Sequence, residues 1–312
     1  MTVGRLLQVR GQAEPVLTGL ARGYQGNKFI WRTLFPVVDV PSRALKIPFF
    51  GKELFKIYKA LRAPRAQSNK MSVDFRDVDT YTLEEWDLYD EIDYAEIQES
   101  IQDERQYSTL KVQEAIELGI EAECADMAQN TANYPAGHAV ALSGTDQFTD
   151  YTNSDPRAVA KEGHSVIRKK TGKQGNVLVL GTKTLEALED HPKLIDKIKY
   201  TQEGFPSTEL LKKYFKVEDV IIGESIYYDS TTQEFVDLWS DILLLAYVDR
   251  QPQQQRNRKE LSFGYTFRLK GYPKVDSFET NPNKVLAIRN TDIIEPVMVG
   301  NDCGYLVTNT CA

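Results

Sequence analysis

Residues 110–130 have the sequence LKVQEAIELGIEAECADMAQN, and the rest of the chain is organised around them. Small and apolar side chains recur there at every third or fourth position: Val112, Ala115, Ile116, Gly119, Ile120, Ala122 and Met127. This spacing predicts a long amphipathic helix. It also places Glu114, Glu117 and Glu121 on the face opposite the apolar stripe.

Both ends of this helix follow from neighbouring residues. Residues 94–108 keep Ile97 and Ile101 on the same stripe but are otherwise polar, which predicts a helix that is frayed, kinked or covered by another chain there. Pro135 cannot continue a helix and restricts Tyr134 before it, so the helix ends before that proline. We expect an arm before this helix and a compact α/β body after it.

The segment before the helix combines an arm with an anchor. Residues 1–28 contain scattered glycines and no sustained periodicity, which predicts an extended or mobile segment. Residues 29–40 are strongly apolar. Pro36 closes a short helical turn in them, and the β-branched residues that follow predict a strand.

The segment after the helix has the alternating signals of a small mixed sheet flanked by helices. Asp155 followed by Pro156 predicts a helix start, and residues 176–181 have the pattern of a buried strand. Further helices are predicted from residues 182, 194 and 207. Further strands are predicted at residues 220–228, 238–248, 261–269, 285–288, 293–298 and 305–308.

The composition is that of a folded protein without a signal for export. The chain has 312 residues, of which 41% are hydrophobic, enough for one large or two ordinary domains. A net charge of -7 argues against a surface that binds nucleic acid throughout. Three cysteines without paired spacing fit neither a disulfide scaffold nor a zinc site. No apolar run has the length of a signal peptide or a membrane span, so we expect a cytosol-like compartment.

Charge is distributed unevenly along the chain. Residues 43–70 are basic with interleaved aromatic residues, and residues 74–104 are strongly acidic. Two explanations remain open, and both can hold together: a hairpin whose two legs neutralise each other, or a basic arm that contacts the acidic patch of the next copy. The candidate inter-subunit contacts are Phe49, Phe50, Lys52, Phe55, Lys56, Lys59, Arg62, Arg65, Glu84, Glu85, Asp87, Asp90 and Glu91.

Catalytic and metal-binding patterns are weak in this sequence. His138, His164 and His191 have no metal-ligand spacing, and neither a nucleophile elbow nor a phosphate-binding loop occurs. The acidic residues 74–104 could hold divalent cations, but such a run is more often a solvated or partner-facing surface. We therefore expect no catalytic residues, no metal and no cofactor.

Short phrases spread over nearly the whole chain carry a family resemblance. They are YQGNKFI (24–30), LFPVV (34–38), RAPR (62–65), SDP (154–156), TG (171–172), NVLVLG (176–181), LEDHP (188–192) and CGYLV (303–307). With the order of arm, hairpin, long helix, α/β body and terminal strands, the chain resembles the major capsid proteins of tailed bacteriophages, which have the Hong Kong 97 fold.

The resemblance implies an α+β fold with four parts. These are an N-terminal arm (1–41), an extended β-hairpin loop (42–84), a peripheral domain with the spine helix (85–136 and 255–312) and an α/β axial domain (137–254). It also implies a non-enzymatic subunit that assembles through pentamers and hexamers into an icosahedral shell around double-stranded DNA, without sequence-specific binding. In such shells the extended loop overlaps a neighbouring subunit.

The expected partners are further copies of the chain, a separate scaffolding protein, a portal and a decoration protein, with no membrane. The expected location is the virion, after assembly in the host cytoplasm. Two alternatives stay open at this point: a metal-dependent α/β enzyme that uses the acidic segment, and a minor structural protein of the virion.

Overall fold

The computed structural model describes residues 15–23, 29–49, 57, 61–62, 76–100, 103–198, 208–253, 260–281 and 284–311. The helices in these ranges are α1 Pro15–Gly23, α2 Trp31–Leu34, α3 Tyr94–Glu99, α4 Glu104–Gln129, α5 Pro156–Thr171, α6 Thr182–Glu189, α7 Pro192–Ile198 and α8 Thr208–Phe215. The strands are β1 Val37–Val40, β2 Ala44–Phe49, β3 Arg76–Thr82, β4 Glu84–Asp93, β5 Ala139–Ala141, β6 Val177–Gly181, β7 Asp219–Gly223, β8 Ile226–Asp229, β9 Glu234–Asp237, β10 Ile242–Ala246, β11 Tyr265–Leu269, β12 Lys274–Asn281, β13 Val285–Val297 and β14 Gly304–Thr308.

The long helix α4 is present, and it buries a wider face than its apolar stripe predicts. Val112, Ile116 and Ile120 are buried as expected. Glu117 and Glu121 are also fully buried, so their placement on the outer face was wrong. The reason is that hydrogen-bond donors from other parts of the folded chain surround both carboxylates. These donors replace the lost water and remove most of the free-energy cost of burial.

The polar residues before α4 form a separate helix. Asp93 caps the start of the short helix α3, and its side chain and that of Glu96 form a capping box. The Asp103 side chain then accepts a hydrogen bond from the Arg105 backbone N–H and begins α4. The predicted kink is therefore a break between two capped helices.

The first sheet has five strands and packs against α4. Its order is β1, β11, β13, β12, and β4 pairs along the other side of β13. Strand β13 joins two segments that the sequence predicts as separate strands. It continues through polar residues because Asn290 contacts Gln113 of α4 and Asp292 lies 2.8 Å from Arg268.

The second sheet is mixed, in the order β5, β14, β10, β6, β7. Val177 and Val179 of β6 face the core under α4, whereas Leu178 and Leu180 face the core under α5, α6 and α8. Both faces are covered, which explains the continuous apolar runs of β6 and β10. Strand β14 lies in this sheet, and its Leu306 belongs to the same core as Ile116 and Ile120 of α4.

The predicted hairpin is described at its base. Strands β2 and β3 pair antiparallel from Ala44 opposite Thr82 to Phe49 opposite Arg76. Leu45 and Leu83 pack with the first sheet near Val38, which fixes the base of the hairpin to the body.

The arm is more ordered than predicted over residues 15–23. Helix α1 buries Leu17 and Ala21 against the first sheet, and the Thr18 hydroxyl bonds both the N–H and the carbonyl of Val275. The expectation of an extended segment was wrong for these residues, because their apolar positions, three to four apart, find a sheet to cover.

Candidate functional site

The acidic candidates lie on β4, an edge strand of the first sheet. Its residues point alternately to two faces. Trp86, Asp90 and Ile92 point towards α4, and Glu85, Asp87 and Glu91 point to the opposite face. Glu84, Glu85, Asp87 and Glu91 are all exposed.

Asp90 connects the edge strand to the long helix. Its carboxylate accepts hydrogen bonds from Ser108 at 3.0 Å and from Lys111 at 2.9 Å. Two turns further along α4, Gly119 makes room for the Trp86 ring, because an added Cβ would lie 2.7 Å from a ring carbon. This contact positions β4 along the helix.

Acidic side chains on the opposite face of β4 also lie near cationic side chains of the same molecule. Glu85 lies 2.8 Å from Arg43, which precedes β2. Asp87 lies 3.9 Å from Arg289 and accepts a hydrogen bond from Thr291. Burial raises the pKa of Asp87, and Arg289 offsets part of that rise. Besides the pairing of β2 with β3, the Arg43–Glu85 ion pair joins the basic to the acidic stretch within one molecule.

The basic candidates are only partly described. The backbone of Phe49 ends β2, and Arg62 is exposed. Phe50, Lys52, Phe55, Lys56, Lys59 and Arg65 lie outside the described residues. Contact between this set and a neighbouring copy therefore stays a prediction.

A second group of carboxylates consists of Glu295 of β13, Glu123 of α4 and Glu84 of β4, whose charges act on one another. Burial, followed by the charges of Glu123 and Glu84, raises the pKa of Glu295 to about 7. Burial also raises the pKa of Glu123, and Glu84 and Asp126 add to the effect. In the described residues, no three acidic, histidine or cysteine side chains are arranged to hold a metal ion.

The most extensive polar contacts involve Glu117 and Glu121, two buried glutamates that the sequence predicts on the exposed face. Glu117 accepts hydrogen bonds from Trp31 Nε1 at 2.8 Å and Gln113 at 2.9 Å, and it pairs with Arg32. The available signal was the four-residue spacing of Gln113, Glu117 and Glu121, which places them on one helix face beside the apolar stripe.

Glu121 joins three parts of the chain. It accepts hydrogen bonds from the backbone N–H of Trp31 at 2.8 Å, from Trp239 Nε1 at 2.6 Å and from Ser225 Oγ at 3.2 Å. Burial raises the pKa of Glu121, and these hydrogen bonds offset part of the rise. The residue thereby connects the arm, the long helix and the segment that leads out of β7.

One serine and one histidine are close enough to be considered for catalysis. Ser154 Oγ lies 3.0 Å from His191 Nε2, but His191 Nδ1 accepts the N–H of Lys193 at 3.2 Å, so the ring proton is on Nε2. Burial, followed by Lys193, lowers the pKa of His191, which favours this neutral ring. The Ser154 hydroxyl donates to the Asp150 carbonyl. The histidine therefore donates to the serine and cannot take its proton, so the pair stabilises a loop.

Comparison with known proteins settles the family. The chain is 43% identical to the major capsid protein of Burkholderia phage BcepMu over 307 residues, which cover 98% of this chain and 99% of the relative. The chain belongs to the phage major capsid proteins. No family model matches it.

Solved structures agree with a capsid protein fold. A phage-related protein from Bordetella bronchiseptica RB50 superposes with a TM-score of 0.83 at 29% identity, over 96% of this chain and 98% of that one. The mature capsid of bacteriophage PhiM1 superposes with a TM-score of 0.54 at 13% identity, over 92% and 88% of the two chains. The predicted Hong Kong 97-like α+β class is consistent with both.

The capsid protein therefore has a structural role: it forms the shell of the virion. The metal-dependent enzyme and the minor virion component find no support in these comparisons. Among the described residues of the capsid protein, no helix has both the length and the apolar character needed to span a bilayer.

Proposed function

We propose that copies of this chain assemble through pentamers and hexamers into an icosahedral shell, with the loop of residues 42–84 of one copy lying over the next. The observation that carries the proposal is the contrast between the base of this loop and its exposed apolar residues. Leu45 and Leu83 are buried at the base, whereas Ile57 and Leu61 are 95% exposed. Exposed apolar side chains favour a cover that a neighbouring copy can supply.

Heterologous contact is the natural mode for such a loop. The loop and the surface that it covers are different patches, so each copy offers one and receives the other, and the contacts close into rings. The candidate residues fall into these two classes. Phe49, Phe50, Lys52, Phe55, Lys56, Lys59, Arg62 and Arg65 lie on the loop, Glu84 is its last residue, and Glu85, Asp87, Asp90 and Glu91 lie on the body.

The shell encloses double-stranded DNA without sequence-specific contacts. A net charge of -7 supports this, because tight binding to phosphates requires an excess of Lys and Arg. Assembly takes place in the host cytoplasm with a separate scaffolding protein, a portal and a decoration protein, and the subunit has no catalytic step.

Reversal of three loop charges tests the loop contact. We expect Lys52→Glu, Lys56→Glu and Lys59→Glu together to reduce the yield of closed shells at least tenfold, while the circular dichroism of the subunit is unchanged. The matched control reverses three exposed lysines outside the loop, Lys169, Lys183 and Lys213. Negative-stain micrographs and sedimentation provide the measurement. Normal shells from the loop variant at low salt would contradict the role of these charges, and absence of shells from the unmodified chain and its scaffolding protein would contradict shell formation itself.

A further inference from the structure

A two-stranded ribbon projects from the second half of the chain. It consists of β8 and β9 with the turn at residues 230–233, and it pairs with neither larger sheet. We call it the acidic ribbon. Its large apolar side chains are unusually exposed: Phe235 by 72%, Tyr228 by 56% and Ile226 by 49%. Isolated hairpins are marginally stable in water, so this ribbon needs a reason to keep its shape.

Hydrogen bonds at the base and at the turn of the ribbon hold its shape. At the base, the Leu238 N–H bonds the carbonyl of Ser225, and the Ser225 hydroxyl bonds the buried Glu121. At the turn, Asp229 accepts hydrogen bonds from the Thr231 N–H and the Thr232 hydroxyl, and the Thr231 bond lowers its pKa most. The ribbon is thus held at both ends while its apolar side chains stay uncovered by the described chain.

The ribbon and its flanks carry charge of one sign. Residues 224–241 contain Glu224, Asp229, Glu234, Asp237 and Asp241 and no Lys, Arg or His. In the described part of the chain, none of these carboxylates forms an ion pair. Asp237 and Asp241 accept hydrogen bonds from hydroxyl and backbone groups instead. The acids of β4 differ, because Glu85, Asp87 and Asp90 already lie near cations of their own chain.

The chain contains one segment with the complementary chemistry. Residues 43–70 combine eight Lys and Arg with a single acid, Glu53, and with interleaved aromatic and aliphatic residues. Ile57 and Leu61, both 95% exposed, and the exposed Arg62 belong to this segment. An acidic surface with exposed aromatic rings matches a basic segment with exposed apolar side chains in both charge and hydrophobicity.

We propose that the acidic ribbon of one copy is the docking surface for residues 50–70 of a second copy. The inference rests on the proposed shell function and names the surface that receives the loop. Aromatic contact at Tyr228 and Phe235 supplies the buried area, and the surrounding carboxylates select a basic segment. The ribbon is rigid before contact, so its docking costs little ordering entropy.

Zero-length cross-linking tests this contact in the unmodified protein. Shells are assembled from equal amounts of ¹⁴N- and ¹⁵N-labelled chains and treated with a carbodiimide, which joins lysine amines to carboxylates in contact. Mass spectrometry should find Lys52, Lys56 or Lys59 joined to Glu224, Glu234 or Asp237, with about half of these pairs carrying both isotopes. If every pair between the loop and the ribbon carried one isotope only and none were mixed, the loop would be folding onto its own ribbon, which would overturn the proposal. Shells that yield other mixed-isotope pairs but none to the ribbon would overturn it as well.

Two substitutions sharpen the test. Phe235→Ser should lower shell yield at least tenfold, whereas Val16→Ser, at another apolar side chain that is 75% exposed, should leave it within about twofold. Glu234→Lys should weaken assembly, and Lys56→Glu in the same chain should restore part of the yield. Normal assembly of Phe235→Ser in conditions where the unmodified chain forms shells would contradict the ribbon contact while leaving the shell function intact. Absence of shells from the unmodified chain would instead contradict the shell function.

Discussion

The acids of α4 and the acids of β4 are the same residue types in opposite situations. Glu117 and Glu121 are completely buried, and each accepts hydrogen bonds from several parts of the chain. Glu84, Glu85 and Glu91 on β4 are exposed, and Glu85 lies 2.8 Å from Arg43. The buried carboxylates therefore hold the parts of the subunit together.

The difference teaches that the number of donors around a carboxylate matters more than the local charge density. Residues 74–104 are far more acidic than α4, yet the polar contacts that connect arm, helix and body are made by two glutamates of α4. A buried carboxylate is tolerated only when donors replace its lost water, and those donors come from Trp31, Ser225 and Trp239.

The largest effect is expected from Glu121→Ala. The substitution leaves the Trp239 indole N–H and the Trp31 backbone N–H without their buried acceptor, and we expect a loss of roughly 3 to 5 kcal/mol in the free energy of unfolding. Urea unfolding of the unassembled subunit, followed by tryptophan fluorescence, measures it. Glu114→Ala on the exposed face of the same helix is the control and should change stability by less than about 0.5 kcal/mol. Equal losses in the two variants would remove the distinction between buried and exposed acids.

An intermediate effect on stability is expected from Glu295→Gln, because Glu295 is half-buried, between the buried acids of α4 and the exposed acids of β4. Its pKa of about 7 in the folded state is above that of an exposed glutamate, so the folded state takes up a proton more readily than the unfolded state. The free energy of unfolding therefore includes a contribution from protonated Glu295 at low pH, and this contribution is lost as the pH rises through about 7. Allowing for partial exposure, we expect the unmodified subunit to lose about 2 kcal/mol between pH 4.5 and 8 relative to Glu295→Gln. Identical pH profiles for the two proteins would show that this carboxylate is not perturbed.

The smallest effect is expected at the ion pair between Asp90 and Lys111. Lys111 is 58% exposed and the Nζ to carboxylate distance is 2.9 Å. Exposed pairs contribute little, so a double-mutant cycle of Asp90→Ala and Lys111→Ala should give a coupling energy of about 0.5 kcal/mol that falls at high salt. A coupling above about 2 kcal/mol that is insensitive to salt would place this pair with the buried acids.

Local signals in the sequence predicted most of the elements. The Asp155 cap and the following Pro156 gave the start of α5, and Gly172 ends it with a positive φ of 68°. The apolar run at residues 176–181 gave β6, and the four residues after Pro36 gave β1. The sequence did not predict α1, because its nine residues are ordered by the sheet that they cover.

The candidate surface was predicted only in part. The charge split along the chain located the acidic strand and the basic loop, and the Arg43–Glu85 pair agrees with the expectation that the two legs of the hairpin neutralise each other. It gave no indication that Asp87 and Asp90 lie near Arg289 and Lys111. Of the acidic ribbon, β8 was predicted as part of a longer strand at residues 220–228, and β9 was not predicted. The ribbon's separation from β7 and its exposed aromatic rings depend on what the rest of the fold leaves uncovered.

The sequence alone located elements such as α5 and β6, because caps, prolines and apolar spacing act within a few residues. It also carried the family resemblance. The tertiary structure alone decided which carboxylates are buried and which apolar side chains stay exposed, because both depend on partners that lie far away along the chain, such as Trp239, 118 residues from Glu121.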